Sequence, residues 1–204
     1  MKTPTRASDV DRFDKWGSTY ESSWLQNVLF VRVHEATLDL VRGIINRPPS
    51  SLLDVGCGTG RLLRRAAIYW PEAQLFGVDP ANGMIEVARR LTPGATLLEG
   101  EAEALPLPDA SIDLAFSTIS FHHWRDQEAG VREIARVLRP EGYFVLADFS
   151  YPGWSTPVFR TLRFHSPAQF RGIFVRAGLH VQAQHALAWH AGLATVGRKT
   201  SDTP

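Results

Sequence analysis

Apolar residues between positions 8 and 46 recur with helical spacing, and Trp24, Val28, Val31, Leu38 and Val41 fall on one broad face. Ser8 offers an N-cap, and the pattern predicts a helical segment that stops at Arg47-Pro48-Pro49, because a proline pair supplies no N–H and cannot continue a helix. Beyond the prolines the period changes. SLLDV, Ser51–Val55, is a short apolar run of the kind found in a strand covered on both faces. A helix over 62–69 follows and is closed by Pro71. QLFGV (74–78) is a second strand, and a helix over 84–91 ends before Pro93-Gly94. Strand-like runs recur at 96–98, 112–116 and 143–147, with an amphipathic helix from about 127 to 138 between the last two. A helix opened by Ser166-Pro167 and two strands near 179–186 and 188–196 complete the chain.

This alternation predicts an α/β fold: a Rossmann-like, doubly wound, mostly parallel seven-stranded sheet with helices on both faces. The last two strands are weakly apolar and suit an antiparallel hairpin at a sheet edge. Residues 1–47 read as an N-terminal helical lid and residues 48–204 as the domain it covers, the whole folding as one unit.

Composition narrows the picture. The net charge of +1 gives no basic field for nucleic acid, and the 44% hydrophobic and 21% charged fractions are those of an ordinary globular chain. No apolar run approaches the roughly 20 residues that cross a bilayer. The first residues carry no secretory-type apolar stretch, so a cytoplasmic protein is expected. With Cys57 as the single cysteine, neither an intramolecular disulfide nor a Cys-rich metal site is available.

The strongest chemical signal is LLDVGCGTGRLL, residues 52–63. A strand carrying Asp54 runs into Gly56, Gly58 and Gly60, which turn the chain into a helix where side chains would bar a ligand from backbone N–H groups and the helix N-terminus. A dinucleotide fingerprint needs its third glycine at position 61, which is Arg61, so the pattern is GxGxG. A tight strand-to-helix turn without a ligand is the bland alternative. The second signal is Asp79, directly after the second strand. Its carboxylate can accept both hydroxyls of a ribose, although Asp79-Pro80 alone reads equally as a helix-capping turn.

Four motifs in order, LLDVGCGTG, the strand ending in Asp79, Gly100-Glu101-Ala102 followed by EALPLPD, and EIARVLRPEGYFVLADF, resemble the class I S-adenosylmethionine-dependent methyltransferases. The likeness covers about residues 50–149 and lies nearest the small-molecule branch that includes the ubiquinone/menaquinone C-methyltransferases. It implies S-adenosyl-L-methionine as cofactor. Asp54 and the loop Gly56, Cys57, Gly58 and Gly60 would hold the methionine end, and Asp79 with Pro80 the ribose. Glu101 and the Ala102 backbone would meet the adenine, with Glu101 standing where the family commonly has Asp. Ser117 joins the cofactor set. Cys57 reads as a small residue lending its backbone, not as a nucleophile. FDKWGSTYESSW, residues 13–24, resembles the aromatic segment that closes over the cofactor, with Tyr20 as the residue touching the methionine carboxylate; the same aromatics also read as plain core.

After the fourth strand come Phe121-His122-His123-Trp124. Either His122 or His123 could be a general base, or both could pack against the cofactor. No metal is expected, because adjacent histidines of an extended segment point to opposite faces. The resemblance implies methyl transfer by direct in-line displacement onto an O, N or C nucleophile of a small molecule. The aromatics Trp16, Trp24, Tyr151, Trp154, Phe159 and Phe164 point to an apolar or aromatic acceptor. A catalytically silent S-adenosylmethionine-binding partner protein and a nicotinamide oxidoreductase are the rival readings. No nucleic-acid partner and no membrane span are expected.

Overall fold

A computed structural model describes residues 10–11, 13–14, 24–151, 163–187 and 192–201, with side chains of the first long helix from Phe30 onward. The SLLDV run is β1, Ser51–Val55, and all of its residues are buried. The chain then alternates through α2 (Arg61–Tyr69), β2 (Gln74–Asp79), α3 (Asn82–Leu91), β3 (Thr96–Glu99) and β4 (Ile112–Thr118). A one-turn 3-10 helix, Phe121–His123, leads to α4 (Gln127–Val137) and β5 (Leu138–Phe149). The chain ends in α5 (Pro167–Arg176), β6 (Leu179–Ala186) and β7 (Gly192–Lys199); α1, Trp24–Arg42, precedes β1.

The sheet has seven strands in the order β3-β2-β1-β4-β5-β7-β6. The first five in this order run parallel, while β7 is antiparallel to both β5 and β6. The doubly wound sheet and its antiparallel hairpin are therefore as the pattern predicts. Within the hairpin, only β6 is an edge; β7 is inserted beside β5 and is buried from Gly192 to Gly197. β7 is described from Gly192; residues 188–191, which the pattern also assigns to this strand, lie outside the described residues.

Neighbouring residues on the strands serve opposite faces. Leu52, Leu114, Phe116 and Val145 pack with Leu38 and Val41 of α1 and Leu62 and Ala66 of α2. Leu53, Ala115, Phe144 and Leu146 pack with Val131 and Ile134 of α4 and Phe170 and Phe174 of α5. β5 begins at Leu138, five residues before the run that betrays it, because Arg139-Pro140-Glu141-Gly142 hides the strand; Arg139 is held there by Asp113 at 3.0 Å. The α5 start is as expected: Ser166 and Gln169 form a capping box around Pro167. Among the described residues, no helix is long and apolar enough to cross a membrane.

Successive strands leave β1 in one direction through β2 and β3, and in the other from β4 onward. The carboxyl ends of β1 and β4 therefore border a crevice at the point of reversal, which is where open α/β sheets bind ligands.

Candidate active site

A cleft with about 1000 Å³ of empty space, counted to its open mouth, sits in that crevice. This is large enough for a nucleoside carrying an amino-acid side arm. Asp54, Gly56, Cys57, Gly58, Asp79, Pro80, Ala102 and His123 line it, so eight of the residues picked out from the sequence are brought together.

The glycine loop has the shape its composition dictates. Gly56, Gly58 and Gly60 adopt φ of 76°, 52° and 78°, a region L side chains rarely enter. A Cβ on Gly56 would also lie 2.4 Å from the Ser120 hydroxyl oxygen. Gly60 caps α2 and faces Thr92 instead of the cleft. The loop is held to the neighbouring strand, since the Gly56 and Cys57 N–H groups both donate to the Val78 carbonyl. The Cys57 thiol is buried, and burial pushes it well above the ordinary thiol range, so it stays protonated and unreactive.

Two carboxyls meet at the floor. Asp54 is 2% exposed, and its Oδ1 is buried with no hydrogen-bond partner among the described residues. Burial, with the nearby Asp79 adding to it, pushes Asp54 up to about 8. Asp79 accepts the Gly58 N–H at 2.8 Å and the Ala81 N–H at 2.9 Å. Burial raises it to about 6 against the pull of these two donors. An orphaned buried carboxyl oxygen is costly unless a donor arrives to meet it. The ammonium of a methionyl group is such a donor, and the Asp79 oxygens each retain a lone pair for a ribose hydroxyl. The residues present thus fit S-adenosylmethionine.

Other picks fall around the rim. Glu101 is exposed and does not line the cleft, whereas Ala102 next to it is buried against it. Ser117 is fully buried beneath the floor, its hydroxyl 2.8 Å from that of Ser120, which itself lines the cleft and donates to the Val55 carbonyl at 3.1 Å. Tyr20, Trp16, Trp154 and Phe159 lie outside the described residues. From the N-terminal segment, Val10 and Phe13 line the cleft, and Phe13 meets the edge of His123 at 5.4 Å between centroids.

The histidine pair corrects the sequence argument about faces. His122 and His123 occupy a single 3-10 turn, not an extended segment, and their rings lie 4.1 Å apart. His123 faces the cleft, while the His122 Nδ1 lies 2.8 Å from Oδ1 of Asp148. Among the described residues there is no group of three or more ligating side chains that could hold a metal ion.

Two contributors were not picked out. Asp148 is the penultimate residue of β5, much as Asp79 is the last of β2, and the same signal, an acidic residue at the carboxyl end of a buried strand, was available in ADF. His34 of α1 gave no signal beyond its helical position. It lines the cleft, its Nε2 lies 3.2 Å from the Thr118 hydroxyl, and its Nδ1 is buried without a partner among the described residues. Burial, and then the charge of Arg61, lower it to about 3, so it is neutral.

Residues 53–146 match the family described as methyltransferase domain. The chain is 30% identical over 186 residues to the malonyl-[acyl-carrier protein] O-methyltransferase of Dechloromonas aromatica, covering 86% of this chain and 67% of that protein. It is 38% identical over 115 residues to the enzyme of the same name from Methylococcus capsulatus, covering 54% of this chain and 42% of that one. This chain therefore spans between two fifths and two thirds of the length of these curated relatives. In fold it is similar to the methyltransferase of Haloferax volcanii solved with its Trm112 activator. That likeness has a TM-score of 0.77 at 23% identity and covers 92% of this chain and 97% of that one. None of these three is a nicotinamide enzyme.

Proposed function

The chain belongs to the S-adenosylmethionine-dependent methyltransferases, and on that premise we propose that it methylates a small apolar or aromatic acceptor from a donor held in the β1–β4 crevice. The observation that carries this reading is the Asp54 oxygen without a partner among the described residues, buried beside Asp79 on β1 just before the glycine turn that leads into α2. When bound, S-adenosylmethionine supplies a methyl group already activated by its sulfonium, which leaves by in-line displacement. The protein's task is then to hold, align and keep dry.

Each residue has a part. Asp54 takes the ammonium of the methionyl end, and the start of α2, which the glycine turn opens, takes its carboxylate. Asp79 takes the ribose, with Pro80 beside it. Ala102, Val78, Met84 and Trp124 supply apolar walls for the adenine, with Glu101 at the rim. Ser117 acts through Ser120, fixing the floor under Gly56. Val10 and Phe13 close one side of the cleft and act as its cover, while the later half of α1, with Val33, Leu38 and Val41 fully buried, belongs to the core. The acceptor lies beyond His123, against the rings of His122, Phe149 and Phe164, which stand 5.1 to 5.6 Å apart.

The relatives' printed substrate, a malonyl group on a carrier protein, is the second reading. It draws on the sequence matches, whereas the aromatic wall beside His122 favours a small aromatic molecule. Calorimetry decides the donor: S-adenosylhomocysteine should bind in the micromolar range while NAD does not. Binding of NAD without S-adenosylhomocysteine would overturn the reading.

A further inference from the structure

We propose that Asp148 and His122 form a base dyad that takes the proton from a hydroxyl group on an aromatic acceptor, so that the chain is an O-methyltransferase of phenol-like or enol-like molecules. This rests on the donor reading above and narrows its acceptor.

The dyad is built by adjacent strands. β4 and β5 run parallel with Thr118 opposite Ala147, so the turn after β4 and the end of β5 meet at the carboxyl edge of the sheet. Asp148 has 1% of its side chain exposed and holds three donors: the His122 ring at 2.8 Å, the His122 N–H at 3.2 Å and the Phe149 N–H at 2.6 Å. A carboxylate can only accept, so the ring proton sits on Nδ1 and the lone pair is left on Nε2. The tautomer is fixed by the partner, not by chance. Nε2 makes no hydrogen bond among the described residues, and the His122 side chain keeps 16% of its surface. It therefore has a lone pair, access and an orienting acid behind it, which is the geometry of a general base.

Position and surroundings select the acceptor. The His122 ring is one ring away from the donor cleft, 4.1 Å from His123, which lines it. Its edges face Phe149 at 5.5 Å and Phe164 at 5.6 Å, giving a flat acceptor aromatic partners. A carboxylate acceptor arrives already ionised and has no use for a base; a neutral hydroxyl does. As the oxygen–methyl bond forms and the sulfur–methyl bond breaks, the hydroxyl proton passes to Nε2. The products are a methyl ether and S-adenosylhomocysteine, and the charge gained by the ring is offset by Asp148.

Two probes of different acidity test this: 4-methylphenol, which needs a base, and 4-nitrophenol, which is largely ionised at pH 8 without one. The full chain should convert both to methyl ethers with S-adenosylmethionine, followed by mass spectrometry. His122→Gln should lower kcat for 4-methylphenol about 100-fold or more, in the range of a lost general base, and kcat for 4-nitrophenol less than about tenfold. Asp148→Asn, which keeps the shape, should show the same asymmetry more weakly. Affinity for S-adenosylhomocysteine should stay at the wild-type value in both variants, which verifies their fold. Equal losses with both probes would make the pair structural and overturn the dyad. A wild-type chain that binds S-adenosylhomocysteine but methylates neither phenol would overturn the acceptor class. Failure of the wild type to bind S-adenosylhomocysteine would instead sink the donor reading beneath it.

Discussion

The Asp79 carboxylate, at the end of one strand, accepts the Gly58 N–H of the loop that follows the neighbouring strand, at 2.8 Å. One side chain thus shapes the glycine loop and, in the proposed site, also presents acceptors to the ribose. Asp79→Ala should lower affinity for S-adenosylhomocysteine by about 1–3 kcal/mol, roughly fivefold to 150-fold. It should also lower Tm, because the Gly58 and Ala81 N–H groups lose their acceptor. Calorimetry and thermal unfolding measure the two effects separately; unchanged affinity in a folded variant would refute the ribose assignment.

Asp54 should make donor binding depend on pH. Its carboxyl is pushed up to about 8, yet pairing with an ammonium requires the ionised form. Binding should therefore release a proton below pH 8, and affinity for S-adenosylhomocysteine should weaken as pH falls from 8 to 6, approaching tenfold per unit. 5′-Methylthioadenosine, which lacks the amino-acid arm, should show a flatter profile. Parallel profiles for the two ligands would remove the ammonium from Asp54.

The same group should burden the free protein. Its folded value lies above the ordinary 3.8, so the stability it contributes is complete below that value and is lost as pH rises toward about 8. Asp54→Asn should accordingly raise Tm at pH 8, by about 2–4 °C for each kcal/mol recovered, while weakening donor binding. A Tm at or below wild type at that pH would contradict the assignment.

His34 acts in the opposite sense. Its folded value is lowered from 6.5 to about 3, so the unfolded chain binds the proton first as the solution is acidified. Stability should fall as pH drops from 6.5 toward 3, with burial as the cause. His34→Asn, which cannot charge, should lose less Tm between pH 7 and 4 than the wild type, whatever its starting value. Equal losses would mean that other groups govern acid unfolding.

Gly56 couples sterically to Ser120. A Cβ would meet the Ser120 Oγ at 2.4 Å, and φ of 76° disfavours any side chain. Gly56→Ala should cost about 1–3 kcal/mol, and adding Ser120→Gly should recover the steric part but not the dihedral strain. Denaturant unfolding of the double-mutant cycle reads this; full additivity would mean that the two residues do not touch.

Residues 10–14 provide a test of the covering element. Val10 and Phe13 line the cleft, and the Asp14 carboxylate accepts the Gly83 N–H at 2.9 Å. Amide exchange there should slow when S-adenosylhomocysteine is added, while exchange in β1 should not change. Equal rates with and without ligand would make this segment a fixed wall.

What the sequence determined by itself was local or periodic. A short apolar run marked β1 as a doubly covered strand, GxGxG forced a turn that only glycine tolerates, and an acid at the end of β2 marked the proposed ribose acceptor. Each of these signals lies within a few consecutive residues, so no folded context is needed to see it. The tertiary structure decided whatever depends on which strands become neighbours. Only the pairing of β4 with β5 puts Asp148 behind His122, 26 positions earlier in the chain, and so fixes its tautomer. Only the crossing of α1 over the sheet brings His34 to the Thr118 hydroxyl, 84 positions away, and buries it neutral. The start of β5 was hidden because Pro140 and Gly142 read as a turn; the strand runs through them as an irregular stretch between the Ile112–Leu138 and Leu114–Tyr143 pairs. Burial changes chemistry most at such places, since desolvation is set by neighbours that are remote along the chain.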